Sequence, residues 1–423
     1  MLELRFIREN EALVRSALGN RGSTFNLDGL LALDRRRRQI LTDGEILKHQ
    51  RNDASEKIGK LLAEKKDAAA PMAEAKILSQ KVKELDAELA VLDAQTHAIL
   101  LTIPNIPQAG VPVGRDAAAN QIVRSWGKPR EFDFPARDHV AIAEALDVID
   151  FQRASKISGS HFILFKKDGA RLERALINFM LDLQTQKHGY MEIFPPFLVN
   201  RASMTGTGQV PKFEEDMYRL KDDDLFLVPT AEVPLTNLYA NEVLEEEDLP
   251  INLTAYTACF RREAGAYGKE TRGMLRVHQF DKIELVKFVH PSASYEEHEK
   301  LLGNAETVLQ LLGLPYRVSL LSTGDIGFSA SKCYDLEAWA SGTKGWLEVS
   351  SCSNFEAFQA RRANIRFREK ATKKVGYVHT LNGSGLALAR TFICILENYQ
   401  QKDGSVLIPE ILRPYLGGQE RIG

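Results

Sequence analysis

The chain has little cysteine, little tryptophan and no long hydrophobic run. Its 423 residues include four cysteines and three tryptophans, and no two cysteines form a C-x-x-C pair. This spacing argues against a disulfide framework and against a thiolate zinc cluster. No stretch approaches the roughly 20 apolar residues that a membrane span needs. The charged start of the chain also lacks an apolar signal core. We therefore expect a cytoplasmic protein with no membrane partner.

An excess of either charge is also lacking. The 55 Lys and Arg residues nearly balance the 57 Asp and Glu residues, which gives a formal net charge of −2. Such a chain has no general affinity for nucleic acid. Its length and its 44% hydrophobic content predict about two or three domains with substantial cores.

The first hundred residues carry a helical pattern. Residues 26–99 contain no aromatic residue and one proline, and two series of apolar residues follow heptad spacing. The two series, separated by a break at residues 68–71, are Leu33, Ile40, Leu47, Ala54 and Leu61, then Leu78, Val82, Leu85, Leu89, Leu92, Thr96 and Ile99. This pattern predicts an antiparallel two-helix coiled-coil arm. The alternative is that both helices pack onto a globular core.

The charge of this hairpin is uneven. Residues 26–66 carry ten Lys and Arg against seven Asp and Glu, and residues 35–38 are four consecutive arginines. Such a run suits contacts with phosphates. The alternative is a solvated face of the helix.

The rest of the chain predicts a mixed α and β domain. A connector rich in proline and glycine covers residues 103–137, and strand-like and helical runs alternate from residue 138. We expect a helix over residues 169–188 and strands over residues 191–199, 254–260, 277–290 and 346–350. Turn residues are frequent and crossover helices do not regularly follow strands. The pattern therefore favours a mostly antiparallel mixed sheet.

Positive charge concentrates around a predicted hairpin loop at residues 268–273. The cationic residues are Arg261, Arg262, Lys269, Arg272 and Arg276. Because the planar guanidinium suits phosphate oxygens, this segment predicts a phosphate-binding site. Glu263 and Glu284 are strand carboxylates, which are costly to bury without a cationic or hydroxylated partner. The alternative is a lattice of surface salt bridges.

A second glycine-containing segment covers residues 379–391. It reads as a strand, a glycine turn and an apolar helix, which invites a dinucleotide-binding interpretation. We reject that interpretation because Leu388 occupies the third glycine position and too little chain follows. Arg390 would lie in the first turns of the helix, so its charge requires a partner.

Together these segments resemble the bacterial-type seryl-tRNA synthetases, which are class II aminoacyl-tRNA synthetases. Residues 260–263 (FRRE) resemble the second class II signature, residues 383–390 (GSGLALAR) the third, and residues 189–197 the first. Residues 229–237 (PTAEVPLTN) and 347–354 (LEVSSCSN) resemble stretches peculiar to the seryl enzymes. With the two-helix arm, the resemblance covers essentially the whole chain.

The resemblance implies an α+β fold. A class II antiparallel sheet flanked by helices would follow an N-terminal antiparallel two-helix coiled-coil arm. The implied domains are an N-terminal tRNA-binding domain at residues 1–102, with the arm at about 26–99, a connector at 103–137 and a catalytic domain at 138–423. The first signature implies a homodimer.

The implied activity is a two-step ligation. ATP activates L-serine to seryl-adenylate, and the seryl group then moves to the 3′ end of tRNA(Ser), and of tRNA(Sec) as well. The implied cofactor is Mg²⁺ bound with ATP, and no zinc is expected because the ligands of the rarer archaeal-type enzyme are lacking.

The resemblance also implies the site residues. The serine-binding residues would be Thr230, Ala231, Glu232, Arg261, Glu284, Asn382 and Ser384. The ATP-binding residues would be Arg261, Arg262, Glu263, Arg276, Val277, Phe280, Glu348, Val349, Ser350, Ser351 and Arg390. Among these, Arg261, Glu348 and Arg390 would be catalytic, and Glu348 and Ser351 would bind the metal.

Other interpretations remain open at this point. Cys259, Cys352 and Cys394 adjoin these segments, and we interpret them as small apolar packing residues. His278 is either a phosphate or tRNA contact or a structural residue. The whole chain could instead be a synthetase relative that loads another acceptor, or a non-catalytic coiled-coil binding protein that retains an inactive synthetase domain.

Overall fold

The computed structural model describes residues 1–264 and 272–423. The described chain divides into two compact units. The first comprises residues Leu2–Gly19 and Ser23–Ile103, and the second comprises Met1, Asn20–Gly22 and Pro104–Gly423. Of the predicted loop at residues 268–273, residues 268–271, including Lys269, lie outside the described residues.

The first unit is helical. Its helices are α1 (Leu4–Glu9), α2 (Glu11–Asn20), α3 (Leu27–Ala63) and α4 (Ala69–Leu100). Asn26 caps α3, because its side-chain oxygen accepts a hydrogen bond of 2.9 Å from the Gly29 amide. Among the described residues, no helix of either unit combines the length and the apolar content that crossing a membrane requires.

The heptad prediction for this unit is confirmed. Helices α3 and α4 form an antiparallel pair, with ion pairs that join Arg36 to Glu88 at 2.6 Å and Lys48 to Asp86 at 2.9 Å. Every predicted seam residue is buried or half-buried, although both helices are otherwise mainly exposed. Each narrow apolar stripe is therefore covered by the other helix, as in a coiled coil.

The turn between α3 and α4 lies earlier than we predicted. Residues 64–68 form the connection, so Ala69, Ala70 and Pro71 belong to the first turn of α4. Proline is tolerated there because the amide groups of a first helical turn have no acceptor within the helix.

Three of the four consecutive arginines of α3 form ion pairs within their own unit. Arg36 pairs with Glu88, Arg37 with Asp93, and Arg38 with Asp34 at 3.1 Å. A phosphate would have to compete with these carboxylates, so these ion pairs favour the alternative interpretation of the run as a solvated helix face.

The second unit contains the sheets. Its strands are β1 (Gln121–Trp126), β2 (Met191–Glu192), β3 (Leu198–Asn200), β4 (Leu225–Leu227), β5 (Val243–Glu245), β6 (Ile251–Phe260), β7 (Gln279–Val289), β8 (Tyr316–Leu320), β9 (Lys332–Ala340), β10 (Gly345–Asn354), β11 (Arg366–Arg368), β12 (Val375–Tyr377), β13 (His379–Ala387), β14 (Val406–Leu407) and β15 (Arg421–Ile422). Its helices are α5 (His139–Ala145), α6 (Phe151–Ser158), α7 (Asp168–Gln186), α8 (Arg201–Thr207), α9 (Glu232–Asn237), α10 (Ser294–Leu311), α11 (Phe358–Ala363) and α12 (Leu388–Tyr399).

An eight-stranded sheet organises this unit. Its strand order is β1-β8-β9-β10-β13-β7-β6-β2. All neighbours pair antiparallel except β2 and β6, which pair parallel. Apolar residues of α7, α10 and α12, such as Leu176, Leu301 and Phe392, are fully buried in the main core with residues of the sheet. The predicted α+β fold with a mostly antiparallel sheet is confirmed. The predicted connector at residues 103–137 contains β1, an edge strand of this sheet.

Two predicted elements are wrong in detail. Residues 191–199 form two short strands, β2 and β3, because Pro195 and Pro196 lie between them and proline cannot donate to a strand ladder. The glycine segment is not a turn, because strand β13 continues through it. A Cβ on Gly383 would lie 2.5 Å from the Leu301 side chain and 2.8 Å from Cys352 Sγ. Glycine is needed there for close packing between elements.

Candidate active site

A cavity of about 480 Å³ opens in the second unit. Its walls come from β7, β10, β13, the segment after β6, the starts of α9 and α12, and the loops near residues 207–213 and 327–330. Most predicted site residues line it, namely Thr230, Glu232, Arg261, Glu263, Arg276, Val277, Phe280, Glu284, Glu348, Val349, Ser350, Ser351, Asn382, Ser384 and Arg390. Stretches of chain that are up to 160 residues apart therefore meet in one space.

Two predicted residues do not line this cavity. Ala231 is fully buried in the core beneath α9. The Arg262 side chain is exposed, and the Arg262 amide donates to the Asp216 carbonyl at 3.0 Å.

One end of the cavity is closed and polar. Thr230, Glu232, Lys282, Glu284, Asn382 and Ser384 lie there, and each is at most 9% exposed. Phe280, Lys282 and Glu284 alternate along β7, so their side chains share one face of the strand. The closed end is therefore a small, desolvated pocket with hydrogen-bonding walls.

Glu284 is held on both carboxylate oxygens. Asn382 Nδ2 donates to Glu284 Oε1 at 2.9 Å, and Lys282 forms an ion pair with Glu284 Oε2. Lys282 Nζ also donates to Thr230 Oγ1 at 2.8 Å. These contacts set the position of the carboxylate, and its remaining lone pairs can accept a ligand hydroxyl.

Glu232 is the second carboxylate of the closed end. Gln359 Nε2 donates to Glu232 Oε1 at 2.6 Å, and Gln359 Oε1 accepts from Thr380 Oγ1 at 2.8 Å. Burial, and next the charge of Glu284, raise the pKa of the Glu232 carboxyl to about 7. A cationic ligand group would lower this pKa again, because it favours the ionised form.

The other end of the cavity is open and carries arginines. Arg261 Nε donates to the Pro229 carbonyl at 3.3 Å, and its guanidinium carbon lies 5.2 Å from the centre of the Phe280 ring. The Arg261 amide donates to the His278 carbonyl at 3.0 Å, and His278 Nδ1 lies 3.0 Å from the Arg261 carbonyl. These contacts hold His278 against the backbone of Arg261. Within the part of the chain that the structure describes, no carboxylate forms an ion pair with Arg261.

The remaining charged groups of the open end are paired. Arg276 Nη1 lies 3.0 Å from Glu263 Oε2, and Glu263 has a left-handed backbone with φ of 51°. Arg390, at the start of α12, donates to the Glu348 carbonyl at 2.7 Å and lies 3.3 Å from Glu348 Oε2. The predicted need of Arg390 for a partner is therefore met by Glu348.

A bulge in β10 brings Glu348 and Ser351 to the same wall. The pairing of β10 with β9 shifts between Glu348 and Ser350, so one extra residue stands in β10. Without this shift, residues three apart would point to opposite faces of a strand. Ser351 Oγ also lies 3.1 Å from Cys333 Sγ.

Sequence reasoning missed Lys282 and Gln359. The signal for Lys282 was present, because it lies two residues after Phe280 and two before Glu284 on one strand. Gln359 comes from α11, which follows the site segment 347–354, and no pattern in the sequence distinguishes it. It is fully buried and contacts Glu232.

The cysteines near the site are fully buried. Burial raises the pKa of the Cys352 thiol to about 12, and it raises the pKa values of Cys259 and Cys394 as well. Thiols with raised pKa values stay protonated and unreactive at neutral pH. This agrees with their interpretation as packing residues.

Two family models match the chain. The seryl-tRNA synthetase N-terminal domain matches residues 1–107, and the tRNA synthetase class II core domain (G, H, P, S and T) matches residues 212–399. A serine–tRNA ligase from Syntrophomonas wolfei is 57% identical over 422 residues, which cover 100% of this chain and 99% of that relative.

Solved structures agree with these matches. The seryl-tRNA synthetase of Pyrococcus horikoshii, crystallised with ATP, superposes with a TM-score of 0.95 at 39% identity, over 100% of this chain and 99% of that one. The cytoplasmic serine–tRNA ligase of Naegleria fowleri, crystallised with AMP, has a TM-score of 0.90 at 29% identity and covers 100% and 98%. From its arm to its class II core, the chain belongs to the seryl-tRNA synthetase family.

Proposed function

We propose that this protein joins L-serine to tRNA(Ser) in two steps at the cavity. The serine carboxylate attacks the α-phosphorus of ATP, which yields seryl-adenylate and releases pyrophosphate. The 3′-terminal hydroxyl of the tRNA then attacks the seryl carbonyl carbon and releases AMP. Neither step needs a nucleophilic side chain, so positioning and charge neutralisation carry the catalysis.

One observation carries this proposal. The cavity joins a closed polar end, whose buried carboxylates and hydroxyls suit a hydroxylated amino acid, to an open arginine-rich end that suits a polyphosphate. The α-carboxylate of a bound serine and the α-phosphate of ATP would meet at the boundary, where Arg261 lies.

The proposed serine contacts use the closed end. Glu232, with Thr230 beside it, binds the α-ammonium group, and Glu284 accepts a hydrogen bond from the hydroxyl. Asn382 and Ser384 close the pocket. Alanine and glycine would leave Glu284 buried without this donor, so they bind poorly. Threonine is excluded only by lack of room for its methyl group, which discriminates more weakly.

The proposed ATP contacts use the open end. Arg261 bridges the α-phosphate and the serine carboxylate, and Arg276 binds the γ-phosphate. Adenine lies between Phe280 and Arg390, with its amino group facing Glu263. Val277, Val349 and Ser350 complete the wall, and Arg262 contributes from outside the cavity lining.

Glu348 and Ser351 fit a magnesium ion that is shared with ATP. Both side chains line the cavity, and a carboxylate with a hydroxyl is an oxygen donor set that Mg²⁺ accepts. The described residues include no group of three or more His, Cys, Asp or Glu arranged as a metal site. This suits an ion that takes most of its ligands from phosphate and water. Bound there, Mg²⁺ would neutralise phosphate charge.

Serine binding is expected to weaken in acid because of Glu232. Its pKa is about 7 in the free pocket, so the carboxyl takes up a proton below that pH and must lose it to bind an ammonium group. The KM for serine should therefore be about tenfold higher at pH 6 than at pH 8. Pyrophosphate exchange at saturating ATP measures this. Glu232→Gln should bind serine weakly at both pH values, and a wild-type KM that does not change between them would contradict the assignment.

The arm is proposed to bind the tRNA. We propose that the domain at residues 1–102 contacts the elbow and the long variable arm of tRNA(Ser), mainly through backbone and shape. The catalytic domain would be residues 138–423, after the connector at 103–137. The family resemblance also makes tRNA(Sec) a proposed second substrate.

Deletion of the arm separates the two steps. Replacing residues 30–98 by a short linker removes no cavity residue. The rate of serine-dependent pyrophosphate exchange should therefore stay within about twofold of that of the full-length protein. Charging of tRNA(Ser) should fall at least 100-fold, because most of the tRNA-binding surface is lost. If the variant without residues 30–98 charged tRNA(Ser) at the full rate, the arm would not be the tRNA-binding element.

The proposed active form is a homodimer. Phe194 is 78% exposed, and Met191 and Leu198 nearby are 51% and 41% exposed. Met191 and Phe194 belong to the segment that resembles the first class II signature and Leu198 directly follows it, and a second copy of the chain would cover these apolar side chains. Sedimentation of the purified protein measures this association.

Amino-acid-dependent pyrophosphate exchange tests the central proposal. We expect exchange with serine and Mg²⁺–ATP, and little exchange with threonine, alanine, glycine or no amino acid. Charging of tRNA(Ser) then tests the second step. Absence of exchange with any amino acid in folded protein would overturn the proposal, and exchange without charging would indicate a different acceptor.

A further inference from the structure

Lys282 is a buried cation inside the closed end of the cavity. Its side chain is 7% exposed, and it contacts two proposed serine-binding residues. Nζ donates to Thr230 Oγ1 at 2.8 Å and forms an ion pair with Glu284 Oε2. A lysine this deeply buried loses its hydration, so it is retained only where its charge has a compensating partner.

The closed end would be electrostatically unfavourable without this lysine. Glu232 and Glu284 are at most 7% exposed and repel each other across the pocket. Lys282 and Arg261 both lower the proton affinity of Glu232. Cys259, which also interacts with Lys282, carries a raised pKa and remains a neutral thiol. Lys282 is thus the cation that balances Glu284, and Arg261 remains available for an anionic ligand.

We propose that Lys282 determines the specificity of the pocket for a hydroxylated amino acid. Its ion pair orients Glu284 as a hydrogen-bond acceptor, and its hydrogen bond anchors Thr230 beside the carboxylate. This inference rests on the proposed function, because it concerns the hydroxyl of the bound serine. A buried acceptor that is held in place by Lys282 loses a hydrogen bond when the ligand has no hydroxyl group, so the oriented Glu284 discriminates against alanine.

The test compares two lysines of the same strand. Lys282→Met removes the charge inside the cavity. Lys287→Met is the matched control, because Lys287 on β7 forms an equally buried ion pair with Glu297 at 2.8 Å but does not line the cavity. For both variants, pyrophosphate exchange gives kcat and KM for serine and for alanine between pH 6 and pH 9, and thermal unfolding measures stability.

Lys282→Met should change specificity as well as stability. We expect kcat/KM for serine to fall about 100-fold, mainly through KM. The ratio of kcat/KM for serine to that for alanine should fall at least tenfold. The acid limb of the serine pH profile should move to higher pH, because the Glu232 carboxyl holds its proton more tightly without the neighbouring cation. Lys287→Met should lower stability and leave the ratio and the profile unchanged.

The outcomes separate this inference from the proposed function. Absence of serine-dependent exchange in the wild type would overturn the proposed function itself. A wild type that exchanges, together with a Lys282→Met variant that keeps its serine-to-alanine ratio and pH profile, would overturn only the role of Lys282. If Lys282→Met does not fold, Lys282→Gln carries the same comparison, because it retains a donor for Thr230 without the charge.

Discussion

Glu284→Ala should lose serine activation while the protein stays folded. Glu284 is fully buried at the closed end of the cavity, and it is the proposed acceptor for the serine hydroxyl. Sites that hydrogen-bond a substrate hydroxyl discriminate by about 10⁴ to 10⁵ against analogues that lack it. Removing the acceptor should therefore lower kcat/KM for serine by at least about 10³-fold. Pyrophosphate exchange measures the loss, and circular dichroism with thermal unfolding measures the fold.

Glu297→Ala is the matched control for this substitution. It removes the α10 carboxylate that pairs with Lys287, the other buried lysine of β7, outside the cavity. Both variants leave a buried lysine unpaired, so both should lose stability, whereas only Glu284→Ala should lose activation. Near-normal exchange in a folded Glu284→Ala protein would show that Glu284 does not recognise the hydroxyl.

Arg261→Ala should lose adenylate formation. The guanidinium lies at the junction of the closed and open ends, stacked near Phe280, and no carboxylate among the described residues occupies it. Removing a donor that stabilises developing negative charge costs about 10²- to 10³-fold in kcat. Because Arg261 is proposed to bind two anionic groups, we expect a loss at the upper end of this range. Single-turnover formation of seryl-adenylate measures it.

Two further substitutions sharpen this test. Arg261→Lys keeps the charge and removes the planar fork, so it should recover only part of the activity. Arg262→Ala should lose much less activity than Arg261→Ala, because Arg261 lines the cavity and Arg262 does not. Equal losses in Arg261→Ala and Arg262→Ala would indicate a general effect of positive charge, and would contradict a specific role for Arg261.

Much of the fold followed from local patterns. The heptad series of the arm, the helix at α7 and the long strands β6 and β7 were predicted because their side-chain periodicity is intrinsic to each segment. The prediction failed where a second element decides the local structure. Gly383 stays in a strand because Leu301 and Cys352 pack against it. The break between β2 and β3, by contrast, has a local cause that the sequence already shows, because Pro195 and Pro196 cannot donate to a strand ladder.

The site was predicted through resemblance of short segments rather than through physical reasoning about them. Composition and spacing indicated that arginines and carboxylates gather near residues 261–284, but they did not indicate that Thr230, Glu348 and Asn382 join them. The cavity collects Glu348 and Asn382 because β10, β13 and β7 are neighbours in the sheet, and Thr230 joins them through its hydrogen bond with Lys282 of β7. Strand order depends on long-range pairing, which leaves no signature in a single segment.

The sequence by itself determined the helical arm, the antiparallel α+β class and the family, because these depend on periodicity and on short ordered motifs. Only the tertiary structure decided which side chains share one wall. The bulge in β10 aligns Glu348 with Ser351, and a second register shift after Ser384 brings Ala387 into the cavity. Lys282 also became part of the pocket only through its contacts with Thr230 and Glu284. Bulges and buried ion pairs form only when several elements pack together. They therefore cannot be predicted from the sequence of any single segment.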